Sequence, residues 1–219
     1  MLDLISNALV DVFDLGGPVV LLLLCVSILT MAVVLYKLWQ FSVARVGQHK
    51  ALKDAVRAWD AGDRTTARVA LQQSKSYLVP IVADALESVP QDKDRLLAMA
   101  EERFAKLEKG FRFLDTVAQL APLLGLFGTV LGMIQAFQAL QEAGSQVDPS
   151  ILAGGIWVAL LTTAVGLVVA MPTSMMHAWF ESRMDGERVV VDSCILTVLY
   201  PTGRAAEDRQ SVGLIPENA

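Results

Sequence analysis

Three threonines lie deep inside two long apolar stretches of the 219-residue chain. If the stretches are helices, Thr129 and Thr163 are both about 16 to 18 Å from the paired ends at residues 140 and 151. Thr162 comes directly before Thr163. Hydroxyl oxygens are hard ligands that suit a cation path, but a threonine in a helix also donates readily to its own backbone. Spacing alone leaves both interpretations open.

Neither stretch carries a titratable group near its middle. Between Phe113 and Phe180 there is no Lys or Arg, and the acids there are Asp115, Glu142 and Asp148, at the stretch ends or between them. The chain by itself therefore has no group at mid-depth that could take up and release a proton.

The remaining candidates for chemistry are few and scattered. His49 and His177 are far apart, as are Cys25 and Cys194, and no metal, nucleophile or phosphate-binding motif appears. The cysteines are interpreted as small apolar fillers and the histidines as isolated residues. A formal net charge of -5 gives no electrostatic case for nucleic acid. We expect a protein that is not an enzyme and has no cofactor or metal.

The two apolar stretches predict membrane-spanning helices over residues 113–140 and 151–180, joined by a polar link over 141–150. At about 1.5 Å per residue each reaches about 40 Å or more, longer than the hydrocarbon core of a bilayer. A hydrophobic fraction of 54% and a mean hydropathy of +0.48 agree with a membrane protein.

Small residues recur three and four positions apart on both spans. Such spacing lets another helix approach closely, in a pore-forming assembly or in a plain structural oligomer. The candidates for helix packing or pore lining are these small residues and one nearby proline: Pro122, Gly125, Gly128, Gly132, Gly155, Ala159 and Gly166.

The N-terminal part predicts a first span. Residues 1–15 have acids but no base and read as an amphipathic segment at the membrane surface, with an apolar side of Leu2, Ile5, Leu9, Val12 and Phe13. Gly16-Gly17-Pro18 ends this segment, and the first span covers residues 16–41. All 18 Lys and Arg residues occur at position 37 or later, so the positive-inside rule places the N-terminus outside and the C-terminus inside.

Residues 42–112 predict a cytoplasmic helical bundle. The pattern favours helices over 43–61, from Asp63 to residue 73, over 78–88, and from an N-cap at Asp92 without a break into the second span. A cytoplasmic helix over 181–201 follows the third span until Pro201, and residues 202–219 read as a disordered tail. The fold class is an all-α membrane protein with three transmembrane helices.

The two spans resemble the ExbB/TolQ/MotA ion-channel motor subunits. The resemblance rests on LAPLLGLFGTVLGMI over residues 120–134 and LAGGIWVALLTTAVGLVVAMP over residues 152–172, where Pro, Gly and Thr occur together in order. Chain length and the single insert after span one are similar to the ExbB branch. A flagellar MotA-like role is disfavoured, because that branch usually has four spans.

The resemblance implies a homopentamer in the inner membrane of a Gram-negative bacterium. Spans two and three would line a pore around an ExbD-like single-span partner that carries an aspartate in the membrane. Ion flow at this aspartate would move the partner, and a TonB-like protein would use that movement to drive outer-membrane transport. Thr129 and Thr163 match the family's pore-lining threonines, with Thr162 as a neighbour. The alternatives are a TolQ-like envelope-maintenance motor and a non-conducting membrane scaffold.

One position departs from the pattern of the family. Many ExbB and TolQ members carry a glutamate in span three where this chain has Val158. Without this glutamate, the transported ion can be H+ or Na+, because hydroxyl and carbonyl oxygens also suit sodium.

Overall fold

The computed structural model describes residues 2–143 and 149–202. All regular structure in these two ranges is helical, without a strand. The helices are α1 (Leu2–Ala44), α2 (Lys50–Asp60), α3 (Arg64–Gln73), α4 (Val79–Glu87), α5 (Lys93–Glu108), α6 (Phe111–Ala143) and α7 (Pro149–Leu199), with a 3-10 turn at Pro90–Asp92 before α5.

Three helices are long and apolar enough to cross a membrane. They are Gly17–Ala44, Phe111–Glu142 and Leu152–Leu199. Their large apolar side chains are exposed to a degree that suits lipid rather than water, as at Trp157 (65%) and Val168 (70%). The predicted all-α fold with three membrane helices is confirmed, while the orientation with the N-terminus outside stays a prediction.

The chain divides into two compact units. Unit 1 contains residues 1–36 and 110–180, and unit 2 contains residues 37–109 and 181–219, so α1 and α7 contribute to both. The helical bundle predicted over 42–112 therefore also takes in the second half of α7. The polar link at 144–148 and the tail from 203 onward lie outside the described residues.

Unit 1 is built by α1, α6 and α7. Each of the three helices contributes two residues to one buried apolar cluster: Val19 and Leu23 from α1, Val117 and Ala121 from α6, and Val169 and Ala170 from α7. α1 has a break at Gly17, whose φ of 67° and ψ of -168° are not helical. Glycine tolerates this conformation, and Pro18 has the φ that starts the next helical stretch. The side chains of the predicted amphipathic segment 1–15 lie outside the described residues.

Unit 2 packs α2 to α5 around residues of α7. Its largest fully buried side chains include Leu52, Ile81, Phe104, Met184 and Ile195. The predicted cap of α3 is present, because Asp63 accepts a hydrogen bond from the Thr66 backbone N–H at 3.0 Å. Hydrogen bonds from Thr66 and Thr65 hold the pKa of Asp63 at about 2.

Two predicted helix boundaries in this region are wrong. The helix expected over 43–61 is interrupted, because α1 ends at Ala44 and α2 begins at Lys50, with positive φ at Arg45 and Gly47 between them. The helix expected to run unbroken into span two ends at Glu108, and α6 starts at Phe111.

The break between α5 and α6 has a local cause. Gly110 takes φ 97°, in the left-handed region where glycine has no steric penalty. Asp92 is the N-cap residue of α5, as predicted, but its side chain makes no capping bond to α5; its carboxylate accepts from the Val89 backbone N–H at 3.1 Å and stabilises the 3-10 turn instead.

Candidate functional site

The small residues of α6 and α7 face one another within a single chain. A methyl group added at Gly166 would lie 2.6 Å from the Ala121 carbonyl oxygen, and one at Gly125 would lie 2.9 Å from the Thr162 carbonyl oxygen. These distances are shorter than any ordinary carbon contact, so the two backbones can approach only because the side chains are missing.

The contact continues along both helices. A methyl group at Gly128 would be 2.7 Å from the Thr162 side chain, and one at Gly132 would be 3.0 Å from the Ala159 Cβ. Gly155 on α7 faces Ala136 on α6. The predicted packing residues are therefore brought together as one intrachain surface, and a role for them in lining a pore stays a prediction.

Pro122 lies inside α6 directly after Ala121, whose carbonyl oxygen faces Gly166, and it is partly buried. Since proline has no backbone N–H, the Ala118 carbonyl four residues earlier loses its usual helical donor. The proline thus weakens the regular hydrogen bonding of α6 close to its contact with α7.

Two of the three threonines bond to backbone carbonyls. The Thr129 hydroxyl donates to Leu126 O at 2.6 Å on its own helix. The Thr162 hydroxyl, 2% exposed, has its Oγ1 2.7 Å from Ala159 O on α7 and 3.1 Å from Gly125 O on α6. The interpretation that threonines bond to their own backbone holds for Thr129 and in part for Thr162.

Thr163 differs from both. Its Oγ1 is buried and has no hydrogen-bond partner among the atoms of the described residues. A buried hydroxyl without a partner costs free energy, of the order of 1–3 kcal/mol, so such a group calls for a functional explanation. The hydroxyl of Thr163 is therefore free to bind another group, because it can both donate and accept a hydrogen bond.

The described parts of the two spans confirm how few charges surround these hydroxyls. Asp115 lies near the start of α6 and accepts from Gln119 Nε2 at 2.7 Å. Val158 on α7 is partly buried, one residue before the fully packed Ala159. Nothing in these segments supplies an acid at the level of Thr163.

The sequence model of the MotA/TolQ/ExbB proton channel family matches residues 59–192, more than half of the chain. The chain belongs to this family. The match spans both threonine-bearing helices and most of unit 2, and it confirms the family that the two span motifs indicated.

Relatives within the MotA/TolQ/ExbB family point to the ExbB branch. The chain is 31% identical over 186 residues to the biopolymer transport protein ExbB of Neisseria meningitidis, covering 76% of this chain and 84% of that protein. It is 33% identical over 170 residues to a putative ExbB-like biopolymer transport protein of Synechocystis, covering 74% of this chain.

A third relative is the Tol-Pal system protein TolQ of Haemophilus influenzae, 38% identical over 111 residues, which are 50% of this chain and 48% of that protein. The matched region spans 66% of the Synechocystis relative, just under two thirds of its length. The chain is thus a multi-pass membrane protein of the MotA/TolQ/ExbB family, with ExbB-named relatives that favour an ExbB-like role.

Unit 2 of this family member holds a polar cluster that the sequence analysis missed. The expectation that His49 is isolated is wrong: its Nε2 lies 2.8 Å from Glu187 Oε1 and its Nδ1 lies 3.0 Å from Ser76 Oγ. Glu187 Oε2 accepts from the Tyr77 hydroxyl at 2.8 Å. Burial, together with the charge and hydrogen bond of Glu187, raises the pKa of Tyr77, so the phenol stays a donor.

No local pattern in the sequence could have revealed this cluster. His49 and Glu187 are 138 positions apart, and neither belongs to a recognisable motif. The one available signal was an acid among apolar positions of a helix that continues from a span, since α7 carries Glu187 between Met184 and Val191.

Proposed function

We propose that this chain is the pore-forming subunit of an ExbB-like motor driven by an ion-motive force. The observation that carries the proposal is Thr163, whose buried hydroxyl has no hydrogen-bond partner among the described residues and lies in a span that has no titratable group near it. Such a hydroxyl can pass a hydrogen bond along a water chain or contribute an oxygen to a passing cation. The protein is a conductor and mechanical component, not an enzyme.

The missing acid must come from a partner. Proton transfer within a membrane needs a titrating group, and the described spans offer none at the level of the threonines. A single-span ExbD-like partner with a membrane aspartate supplies this group in our proposal. Five copies of the chain enclose it in the inner membrane, where Thr129 and Thr163 contribute to the ion path and Thr162 is their buried neighbour.

The output of the motor would be outer-membrane transport through a TonB-like protein. Matches to proteins named ExbB over most of the chain support this assignment. The match to TolQ over half of the chain supports the second candidate, a motor for envelope maintenance. No cofactor is needed, since the ion gradient provides the free energy.

The ion itself is H+ in this proposal, with Na+ as the alternative that Val158 raises. A sodium route would use hydroxyl and carbonyl oxygens as ligands and needs no acid on this chain. Measuring transport under a proton gradient and then under a sodium gradient separates the two, because a proton motor ignores sodium.

The central test compares Thr163→Val with Thr173→Val in the complex purified with its partner and reconstituted in liposomes. Valine keeps the shape and removes the hydroxyl. Thr173 is also buried on α7 but donates to Val169 O at 2.7 Å on its own helix. We expect Thr163→Val to lower ion flux by at least about tenfold, equal to about 1.4 kcal/mol on the barrier, and Thr173→Val to leave it unchanged.

A membrane scaffold predicts a different result. If both variants assemble and conduct as the original chain does, Thr163 has no part in the ion path. Thr163→Ser, which restores a hydroxyl, should recover the flux, and failure to do so would mean that the size of the side chain matters rather than its oxygen.

A further inference from the structure

An open groove of about 480 Å³ in unit 2 is formed by the turn between α1 and α2 and the end of α3 with the residues that follow it. We call it the Arg45 groove. Its wall contains three bases and three uncharged polar residues, namely Arg45, Lys50, Lys75, Gln48, Gln73 and Ser74. None of the described residues that line it is acidic.

The three bases of the groove have no partner in the described ranges. Arg45, Lys50 and Lys75 are exposed, and their side chains make no hydrogen bond or ion pair with another described residue. Elsewhere in unit 2 an exposed base can pair with an acid, as Arg57 does with Asp54 at 2.8 Å. The Arg45 groove therefore concentrates uncompensated positive charge in a chain whose formal net charge is -5.

The backbone that carries Arg45 is held in place by the rest of unit 2. The Gly47 backbone N–H donates to Glu187 Oε1 at 2.7 Å, and Arg183 donates to Val46 O at 3.3 Å. A methyl group on Gly47 would collide with the Arg183 guanidinium, so a fourth base lies over this turn. Glu187 is 3% exposed and also accepts from Tyr77, so it is not available to pair with the bases of the groove. A site whose backbone is fixed in advance loses less entropy when a ligand binds.

Exposed tryptophans on α1 and α7 indicate where the membrane surface lies. Trp39 is 63% exposed and is five residues, about 8 Å, before the end of α1 at Ala44. Trp179 is 49% exposed and is four residues, about 6 Å, before Arg183 on α7. Tryptophan is enriched where lipid meets water, and a long basic side chain can reach back to that level. Arg45, which follows Ala44 directly, is therefore within reach of lipid head groups.

We propose that the Arg45 groove binds the phosphate head group of an anionic phospholipid of the surrounding bilayer. Arginine and lysine both bind phosphate oxygens, and the exposed amides of Gln48 and Gln73 can donate to the same head group. Phosphatidylglycerol brings only negative charge to the three bases, whereas phosphatidylcholine also brings an ammonium that they repel. Each base strengthens the attraction to an anionic lipid by about fivefold. The bound lipid fixes the turn between α1 and α2 at the membrane surface.

The test adds phosphatidylglycerol or phosphatidylcholine to the full-length protein in detergent and measures bound lipid by native mass spectrometry. We expect phosphatidylglycerol to bind at least about tenfold more tightly than phosphatidylcholine. Raising the ammonium acetate concentration from about 0.1 to 0.5 M should weaken this binding, because salt screens the charges. Equal affinity for the two lipids, or an affinity for phosphatidylglycerol that salt does not change, would overturn the proposal.

Variants locate the bound lipid in the groove. The triple variant Arg45→Gln, Lys50→Gln, Lys75→Gln should bind phosphatidylglycerol about 100-fold more weakly. The matched control removes the same charge from three exposed bases of unit 2 that pair with acids, through Arg57→Gln, Arg95→Gln and Lys106→Gln. We expect at most about a twofold change in the control. An equal loss in both variants, or no loss in the groove variant, would mean that the groove is not the lipid site.

Inorganic phosphate distinguishes a lipid head group from a soluble anion. It should not displace phosphatidylglycerol at equal concentration, because free phosphate has no acyl chains to anchor it beside the groove. Displacement at equal concentration would make the groove a site for a soluble phosphate and would overturn the lipid proposal. If the groove variant fails to fold, the salt, phosphatidylcholine and phosphate measurements on the unmodified protein remain decisive. None of them uses ion transport, so their outcome is independent of the motor proposal.

Discussion

Thr162 on α7 places its hydroxyl oxygen 3.1 Å from the backbone carbonyl oxygen of Gly125 on α6. The hydroxyl also lies 2.7 Å from Ala159 O, so a threonine that could have served its own helix alone links two helices. The link exists because Gly125 and Gly128 let α7 come close enough to α6. The packing motif and the polar contact are therefore one feature, which stabilises the α6–α7 hairpin within a single chain.

Thr162→Val tests this contact. Valine preserves the volume but removes the donor to Gly125 O, and membrane hydrogen bonds of this kind contribute about 0.6 to 2 kcal/mol. We expect lower stability of the hairpin by that amount in unfolding experiments in detergent, and partial recovery with Thr162→Ser. Thr173→Val is the matched control, because Thr173 is also buried on α7 and its hydroxyl donates to Val169 O on its own helix. Equal stability of the two valine variants would contradict a cross-helix role.

Gly166→Ala tests the close approach of the backbones. The added methyl group would lie 2.6 Å from Ala121 O and 3.1 Å from the Gly125 Cα, so the helices must separate. A cost of about 1–3 kcal/mol is expected for overpacking of this kind. Gly154→Ala on the same helix is the control, since a methyl group there meets nothing within 4 Å. Thermal unfolding of both variants is the measurement, and a neutral Gly166→Ala would mean that the two helices are not held at this spacing.

Gly110→Ala tests the break between α5 and α6. At φ 97° an alanine is strained, and about 1–2 kcal/mol of stability should be lost. Gly186→Ala provides the comparison, because Gly186 lies within helical α7 with open space around it and alanine favours a helix there. Circular dichroism during heating should show a lower midpoint for Gly110→Ala and an equal or higher one for Gly186→Ala. The reverse order would indicate that the chain can continue as one helix through residue 110.

The amino-acid sequence by itself determined the class of the protein. Long apolar segments without Lys or Arg occur before Lys37 and between Phe113 and Phe180, and such segments favour a bilayer over water, so three membrane helices followed from composition and length. The order of Pro, Gly and Thr in the spans also indicated the family. These properties are local, since each depends on residues close together in the chain.

The sequence could not predict the ends of the helices in unit 2. The pattern from Asp92 to Phe111 is helical throughout, and the break depends on the backbone of Gly110, for which helical and left-handed conformations are both accessible.

Only the tertiary structure decided which polar groups find partners. Thr162 and Thr163 are neighbours of the same type, yet one contacts Gly125 O and the other has a buried hydroxyl with no partner in the part of the chain that the structure describes. His49 and Glu187 meet across 138 positions of sequence. Helical periodicity sets the face on which a side chain lies, but the partner on that face is set by long-range packing, which no short segment of sequence contains.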